Sequence, residues 1–229
     1  RTPPTPSPLE SCVFSLRYRM NRSTTNILDR PLGGRGARAS ETTVSQSAFA
    51  YLYSELVQYH QSRVASISEL ERRLESSGYG VGLKMLELLA YRSKENKREI
   101  RVMQILQFVS STIWKSLFGK PADSLERSID HSDEFMIVDY EPLTSTYVSV
   151  PADLGQLSVD AFVSGILAGV LDAAGFSARV TAHSVPLEDG DHIPSSANTS
   201  PFLPPRKEKA VYLVKFSAEV LKRDARLDR

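Results

Sequence analysis

The residues best suited to acid–base or metal chemistry are four histidines, and their spacing forms no recognisable catalytic or metal-binding pattern. They stand at positions 60, 131, 183 and 192, without the short ligand spacings of a metal site. His183 lies in an alternating, strand-like segment, where a core or interface histidine is more common than a general base. No serine nucleophile elbow accompanies them. The sequence therefore predicts no catalytic residue, no metal site and no cofactor.

Three glycine motifs invite comparison with phosphate-binding loops or helix contacts. The run Gly78-Tyr79-Gly80-Val81-Gly82 has the wrong spacing for a dinucleotide fingerprint and follows a predicted helix, so we expect a turn between two helices. Gly119-Lys120 lacks the upstream glycine and the Ser/Thr of a P-loop, and is better explained as a helix C-cap. Gly165-x-x-x-Gly169 predicts close helix packing within the core rather than a seam between subunits.

The overall composition is that of an ordinary soluble protein. Its 229 residues are 24% charged and 41% hydrophobic, with a net charge of +1, so no global field favours nucleic acid. The single cysteine, Cys12, excludes a disulfide framework and a cysteine zinc site. We expect a cytosolic protein, because no signal peptide is apparent. No transmembrane helix is expected either, because the most apolar helix, 159–174, is shorter than the roughly 20 residues that a bilayer requires.

Residues 1–43 are predicted to form an extended basic arm. Residues 1–40 carry seven arginines against two acidic residues, a net charge of +5 that leaves −4 for the rest. Such an arm docks on acidic protein, membrane or nucleic acid, or remains a solvated, disordered tail, and charge alone does not decide between them. One apolar island in the arm is expected to dock on another molecule or on the chain's own sheet. Its residues are Ile27, Leu28, Asp29, Arg30, Pro31 and Leu32.

Hydrophobic periodicity predicts helices followed by strands. Helices are expected at about 44–61, from Ser68 to the glycine run with a capping box at Ser68-Glu69-Leu70-Glu71, then at 83–91 and 100–118. Strands are expected at 134–140, 146–150, 177–185 and 210–217, with helices at 158–174 and from Ala218. The proline-rich stretch 186–208 is expected to be a disordered insertion. This order predicts one α/β (α+β) domain over 44–229, with four helices and one further helix on a small four-stranded antiparallel sheet.

The first helix has more apolar surface than one core requires. A helix packed on a single core needs an apolar arc of about 100°. Here the arc covers about half the circumference, and we therefore expect a second buried contact, with a partner. The arc is formed by Ala48, Phe49, Leu52, Tyr53, Leu56, Val57 and Tyr59.

An ordered set of short segments resembles the small core subunits of the transport protein particle (TRAPP) tethering complex, of the Bet-three superfamily, and most closely the subunit-five type. The set spans about 26–217 and breaks only at the proline-rich insertion. No single segment is specific, but their order is. In the N-terminal half the segments are Asn26–Leu32, Ser47–Tyr59, Leu70–Leu74 with Gly78–Gly82, and Ile113–Asp123. In the C-terminal half they are Tyr147–Pro151, Ala161–Ile166 and Ala174–His183.

The resemblance implies a fold, partners and a location. It implies helices on an antiparallel sheet, and a heterodimer with a related Bet-three-superfamily subunit through the first two helices. It further implies other TRAPP subunits as neighbours and a Rab-type GTPase, on which the assembly promotes nucleotide exchange in ER-to-Golgi and intra-Golgi transport. The protein would be cytoplasmic and peripheral on endoplasmic reticulum and Golgi membranes. The partner-interface candidates are Phe49, Leu52, Tyr53, Leu56, Tyr59, Leu70 and Leu74.

Two alternatives to a tethering subunit follow from the same residues. Some members of the superfamily carry an acylated buried cysteine near the start of the 100–118 helix, but the matching stretch 91–99 here has none. A bound acyl chain is therefore not expected at that position. The first alternative is nevertheless a stand-alone hydrophobic-ligand (acyl) binding module of the same superfamily. The second is an enzyme, which would require a polar pocket that the sequence does not indicate.

Overall fold

The computed structural model describes residues 45–93, 98–129, 131, 133–145, 148, 150, 157–187 and 208–227. The predicted arm, with its docking candidates Ile27–Leu32, and residues 188–207 of the predicted insertion 186–208 lie outside these residues. The two ends of that insertion, Pro186 and Glu208, are in strands. The helices are α1 (Gln46–Gln61), α2 (Ile67–Ser93), α3 (Val102–Phe108), α4 (Trp114–Phe118), α5 (Ala161–Ala173) and α6 (Ala218–Arg226). The strands are β1 (Ser124–Arg127), β2 (Glu134–Asp139), β3 (Ala178–Pro186) and β4 (Glu208–Phe216).

The four strands form one antiparallel sheet in the order β1-β2-β4-β3. Ile137 of β2 is paired with Tyr212 of β4, and Val214 of β4 with Val180 of β3. All four side chains are buried, so this register turns the apolar alternation of the strands towards the helices. The predicted combination of helices with a four-stranded antiparallel sheet is confirmed.

One predicted strand is wrong, and another was missed. Of the predicted strand 146–150 the structure describes only Val148 and Val150. Neither is in a strand, and both pack on the second core cluster described below. The partner of β2 is instead β1, whose register places Leu125 opposite Ile137. The sequence of β1, Ser-Leu-Glu-Arg, is short, with a half-buried first half and an exposed second half. It therefore carries little of the alternation by which strands are recognised.

The second and third predicted helices are a single helix, α2, which passes through the glycine run without a turn. Gly78 and Gly82 lie one turn apart and face α5, so their missing side chains allow the two backbones to meet. Gly165 and Gly169 do the same from the α5 side. The predicted turn at the glycine run is therefore wrong. The predicted tight core packing at Gly165 and Gly169 is confirmed.

The N-terminus of α2 begins two residues earlier than predicted. The hydroxyl of Ser66, rather than Ser68, accepts a hydrogen bond from the backbone N–H of Glu69 at 3.3 Å. The carboxylate of Glu71 accepts instead from the backbone N–H of Ser158, at 2.8 Å. That bond ties α2 to the chain segment leading into α5.

The predicted 100–118 helix is the central core helix, as expected. It consists of α3 and α4 joined by a π-helical turn, Val109–Ile113. Gly119 ends it with a φ of 79° and donates its N–H to the Lys115 carbonyl oxygen at 2.9 Å, which confirms the predicted C-cap. Trp114 is fully buried, and its ring meets Tyr212 of β4 edge to face at 5.3 Å.

Two hydrophobic clusters lie within the described residues. The larger joins the central helix, α5 and the inner face of the sheet. The smaller, which we call the α1 cluster, joins α1 to the start of α2 and to the segment before α5. Its buried members are Tyr53, Val57, Leu70, Leu74, Val159 and Ala161.

Candidate partner-binding face

Helix α1 turns one side of its apolar arc into the α1 cluster. Tyr53 is 3% exposed, and Val57, one turn later, is also buried. The Tyr53 hydroxyl donates a hydrogen bond to the carbonyl oxygen of Val159. Burial, with a smaller contribution from the charge of Asp160, raises the pKa of Tyr53 above its ordinary range. The hydroxyl therefore stays protonated as a donor, and Tyr53 is an anchor of the chain's own core.

The same arc continues out of the core into solvent. Leu52 and Tyr59 stand seven residues apart, two turns along the same side of the helix. Their side chains are 73% and 50% exposed. Between them and the core lie Phe49 and Leu56, which are half-buried against the α1 cluster. We call these four residues the α1 stripe. It is an apolar surface that begins in the core and ends uncovered by any described residue.

The structure divides the predicted interface residues between core and surface. Tyr53, Leu70 and Leu74 are almost fully buried in the α1 cluster, so they leave little surface for direct contact with a partner and would act in an interface by supporting α1 and α2 from the core side. The four residues of the α1 stripe retain accessible surface and stay interface predictions. Tyr51, which the sequence reasoning did not select, is also exposed. The signal for it was present, because it is an aromatic residue on an otherwise polar side of α1.

The C-terminal end of α1 carries a cation stacked on an aromatic ring. The Arg63 guanidinium carbon lies 3.6 Å from the centroid of the Tyr59 ring. Its Nη1 donates to the Tyr59 carbonyl oxygen at 2.9 Å and to the Ser62 hydroxyl at 3.2 Å. These contacts fix the position of an exposed arginine beside the α1 stripe.

His60 links α1 to α2 next to this arginine. Its Nε2 lies 3.0 Å from the Ser77 hydroxyl, whereas its Nδ1 is buried without a hydrogen-bond partner among the described residues. Burial lowers the pKa of His60, and the positive charges of Arg73 and Arg63 lower it further. The neutral imidazole is therefore the stable form, and its role is to hold the two helices together.

Another cluster of possible ligands was not anticipated from the sequence. His131, Asp133 and Glu134 bring one potential ligand atom each to within 4.8 Å of one another. The Lys215 ammonium already compensates the two carboxylates, at 2.8 Å from Glu134 and 3.6 Å from Asp133. Lys215 lies opposite Glu134 in the β2–β4 register, so the cluster is explained as a cross-strand ion pair.

A polar cavity of about 320 Å³ lies between the C-terminus of α5 and the N-terminus of α6. Its main polar groups already serve structural bonds. Asp172 accepts hydrogen bonds from the hydroxyls of Tyr79 at 2.6 Å and Ser177 at 3.3 Å, and Arg223 donates to the Gly175 carbonyl oxygen at 2.9 Å. Of the histidines that the structure describes, His60, His131 and His183, none lines this cavity, and the His183 side chain on β3 contacts the Thr181 hydroxyl.

Comparison with known proteins decides the family. Residues 49–200, about two thirds of the chain, match the family described as transport protein particle (TRAPP) component. The chain belongs to the TRAPP component family. This confirms the resemblance inferred from the sequence segments. It also makes the chain a member of a family of trafficking-complex subunits.

Several relatives are named as subunit 5 of the trafficking protein particle complex. The Dictyostelium discoideum protein is 44% identical over 207 residues, which cover 90% of this chain and all of that protein. The human protein is 45% identical over 168 residues, which cover 73% of this chain and 87% of that protein. The similarity to the subunit-five type is therefore confirmed.

A solved structure of another TRAPP subunit shares the fold. Trafficking protein particle complex subunit 3 from Naegleria fowleri, covalently bound to palmitic acid, superposes with a TM-score of 0.58 at 16% identity. The superposition covers 75% of this chain and 95% of that chain. At this identity the likeness establishes the fold alone. Within the described residues, no helix has both the length and the apolar character to cross a membrane.

Proposed function

We propose that this chain is a non-catalytic core subunit of a TRAPP-type vesicle-tethering complex. It pairs with a related subunit through helices α1 and α2, and the observation that carries this proposal is the α1 stripe. Leu52 and Tyr59 expose large apolar side chains on a surface continuous with the core. Permanent protein–protein interfaces are built in this way, and resemble a domain core cut in half.

We further propose an activity for the assembled complex. The complex promotes nucleotide exchange on a Rab-type GTPase in ER-to-Golgi and intra-Golgi transport, and it is peripheral on those membranes. This subunit contributes surface to the exchange reaction rather than a catalytic group. In support, the His183 side chain is exposed on β3, and its one hydrogen-bond contact within the described residues is to the Thr181 hydroxyl.

The experiment that tests the proposal places a charge on the exposed part of the stripe. Leu52→Asp and Tyr59→Asp are expected to release the partner subunit on co-expression and affinity purification. The buried carboxylate would be uncompensated in the interface. Folding of each variant is checked by its thermal melt, which should stay near that of the wild type because both side chains are exposed.

Ile129→Asp is the matched control, because Ile129 is fully exposed and belongs to the loop between β1 and β2 rather than to α1. It should leave the partner bound. Retention of the partner by folded Leu52→Asp and Tyr59→Asp proteins would contradict the proposed interface. A wild-type chain that purifies from cells as a monomer with a bound acyl compound would support the alternative ligand-binding module instead.

The apolar island of the arm, Ile27–Leu32, stays a proposal of its own. Its segment has too little apolar surface to form a core, so it gains order only by binding a neighbour, the GTPase or the chain's own domain. Deletion of residues 1–33 separates these cases. A loss of subunit retention or nucleotide exchange at unchanged melting temperature indicates docking on another molecule, whereas a lower melting temperature with normal exchange indicates a local staple.

A further inference from the structure

Arg63 lies beside Tyr59 at one end of the α1 stripe, and its charge and geometry favour one kind of partner group. We propose that Arg63 is the polar anchor of the subunit interface, and that the partner subunit presents an Asp or Glu carboxylate to it. This inference rests on the proposed pairing through α1. It adds the chemistry by which the partner is recognised and its register along the helix is set.

The guanidinium of Arg63 is held in one orientation. Stacking on Tyr59 and the two bonds from Nη1 hold the group in place, at the cost of only one of its three nitrogens. No described residue accepts a hydrogen bond from Nη2 or Nε of Arg63. These two nitrogens form one edge of a planar fork that matches the two oxygens of a carboxylate. The side chain is therefore preorganised, and binding immobilises little additional side-chain freedom.

The surroundings of the Arg63 guanidinium carry a net positive charge. Arg73 lies on α2 close enough to His60 that its charge, like that of Arg63, lowers the pKa of the imidazole. Glu69 of α2 is paired with Arg73 at 3.2 Å and with Arg72 at 3.1 Å. With Glu55 on α1 also counted, three arginines against two glutamates leave the α1–α2 corner with a net positive charge. An acidic partner surface is thus favoured, and a basic one is repelled.

Arg63 lies directly beside the α1 stripe. Tyr59 belongs both to the α1 stripe and to the Arg63 contact, so the apolar surface and the cation form one continuous patch. Tyrosine and arginine are the residue types that most often dominate interface binding energy. A partner that covers the stripe therefore also covers Arg63, and must neutralise it, because a buried unpaired charge is strongly unfavourable.

The test uses the complex formed on co-expression with the subunit that co-purifies. Arg63→Glu is expected to weaken the pairing at least tenfold, and to weaken it further as salt is lowered, because like charges then meet. Arg63→Lys keeps the charge but lacks the fork and the stacked plane, so it should weaken the pairing, though by less than Arg63→Glu. Lys115→Glu, on α4, is the matched control with the same change of charge at an exposed lysine, and should leave the affinity unchanged.

A second measurement identifies the partner group directly. A carbodiimide condenses an amine with a carboxylate in contact with it, so the Arg63→Lys complex should yield a crosslink from position 63 to an Asp or Glu of the partner. Mass spectrometry locates that residue. Reversing its charge to Arg should restore binding to the Arg63→Glu chain.

The outcomes separate this inference from the proposed pairing. If Leu52→Asp releases the partner but Arg63→Glu does not, the carboxylate anchor is wrong and the pairing stands. If neither variant releases it, both are wrong. If Arg63→Glu keeps the partner but abolishes binding to vesicles containing phosphatidylserine, the corner binds anionic lipid, which also overturns the inference.

Discussion

Gly78 of α2 lies directly against the backbone of Phe162 on α5. A Cβ atom added to Gly78 would come within 2.0 Å of the Phe162 carbonyl oxygen, a distance that real Cβ atoms do not reach. The contact is reciprocal, because a Cβ on Gly165 of α5 would meet the Glu75 carbonyl oxygen of α2 at 2.0 Å. The obstacle in both cases is backbone rather than a movable side chain, so the two helices cannot accommodate a methyl group without separating.

Substitution of these glycines should distinguish packing from helix propensity. Gly78→Ala is expected to destabilise the fold by about 3 kcal/mol, at the upper end of overpacking effects, because α5 must move. Gly80→Ala is the matched control on the same helix, since nothing lies within 4 Å of its added Cβ. It should stabilise the fold by up to about 1 kcal/mol, through helix propensity. Urea unfolding measures both, and equal effects would contradict the close-packing explanation.

The glycine run shows why local sequence reasoning failed at this point. Gly78, Gly80 and Gly82 all have low helix propensity, and propensity alone predicts a break. The compensating energy comes from a helix more than eighty residues later in the chain. The motif Gly165-x-x-x-Gly169 indicated a close helix contact, but the sequence did not show that the contacting helix is α2. Helices with strong periodicity, such as α1 and the central helix, were predicted within a few residues.

Two neighbouring positions on α1 should separate stability from pairing. Substitution of Tyr53 should lower the stability of the fold, and substitution of Leu52 should weaken partner binding. Tyr53→Ala removes a buried ring and its hydrogen bond to Val159, and is expected to cost roughly 3–5 kcal/mol of stability. Leu52→Ala should change stability by no more than about 0.5 kcal/mol, because the side chain is exposed, yet weaken partner binding. Thermal melts of the isolated chain and co-purification of the partner measure the two quantities. A larger stability loss for Leu52→Ala would contradict the assignment.

The same pair explains how far the interface could be predicted from the sequence. Periodicity identified an apolar arc that was too wide for one core, and the structure places Tyr53 in the core and Leu52 outside it. Which edge of the arc faces inward depends on where α2 and the segment before α5 pack. Those contacts are long-range, so they have no signature in the helix itself. Leu70 and Leu74 were assigned to the interface because the resemblance implies pairing through the first two helices. The sequence of α2 alone does not show that both side chains are buried in the α1 cluster.

His60 should make the stability of the α1–α2 contact depend on pH. Its pKa is lowered in the folded state by burial and by the charges of Arg73 and Arg63. The unfolded chain therefore binds a proton more readily as pH falls through 6.5, the ordinary histidine value, and the fold loses stability there. His60→Gln should remove this component from unfolding curves measured at pH 5.5 and 7.5. Arg73→Gln should raise the pKa of His60 in an NMR titration, and an unchanged pKa would contradict the electrostatic cause.

The buried carboxylate of Asp139 should depend on one lysine for its charge. Asp139 is 2% exposed, and its Oδ1 lies 2.7 Å from the Lys120 ammonium. Burial raises the pKa of Asp139, and the hydrogen bond and charge of Lys120 oppose that rise. Burial lowers the pKa of Lys120, but Asp139 outweighs it and the net pKa of Lys120 is raised. The lysine thus keeps an otherwise unfavourable buried charge tolerable.

Lys120→Met should therefore destabilise the fold in a pH-dependent way. The loss at pH 7 is expected to be about 2 kcal/mol, below the roughly 3–5 kcal/mol of a fully buried pair, because the Lys120 side chain is 36% exposed. Without the lysine, the pKa of Asp139 rises further. The folded state then binds a proton more tightly than the unfolded state, and the destabilisation should shrink as pH falls from 7 to 5. Lys120→Met combined with Asp139→Asn should recover stability at pH 7 and lose the pH dependence, whereas a pH-independent loss in the single variant would show that only packing was removed.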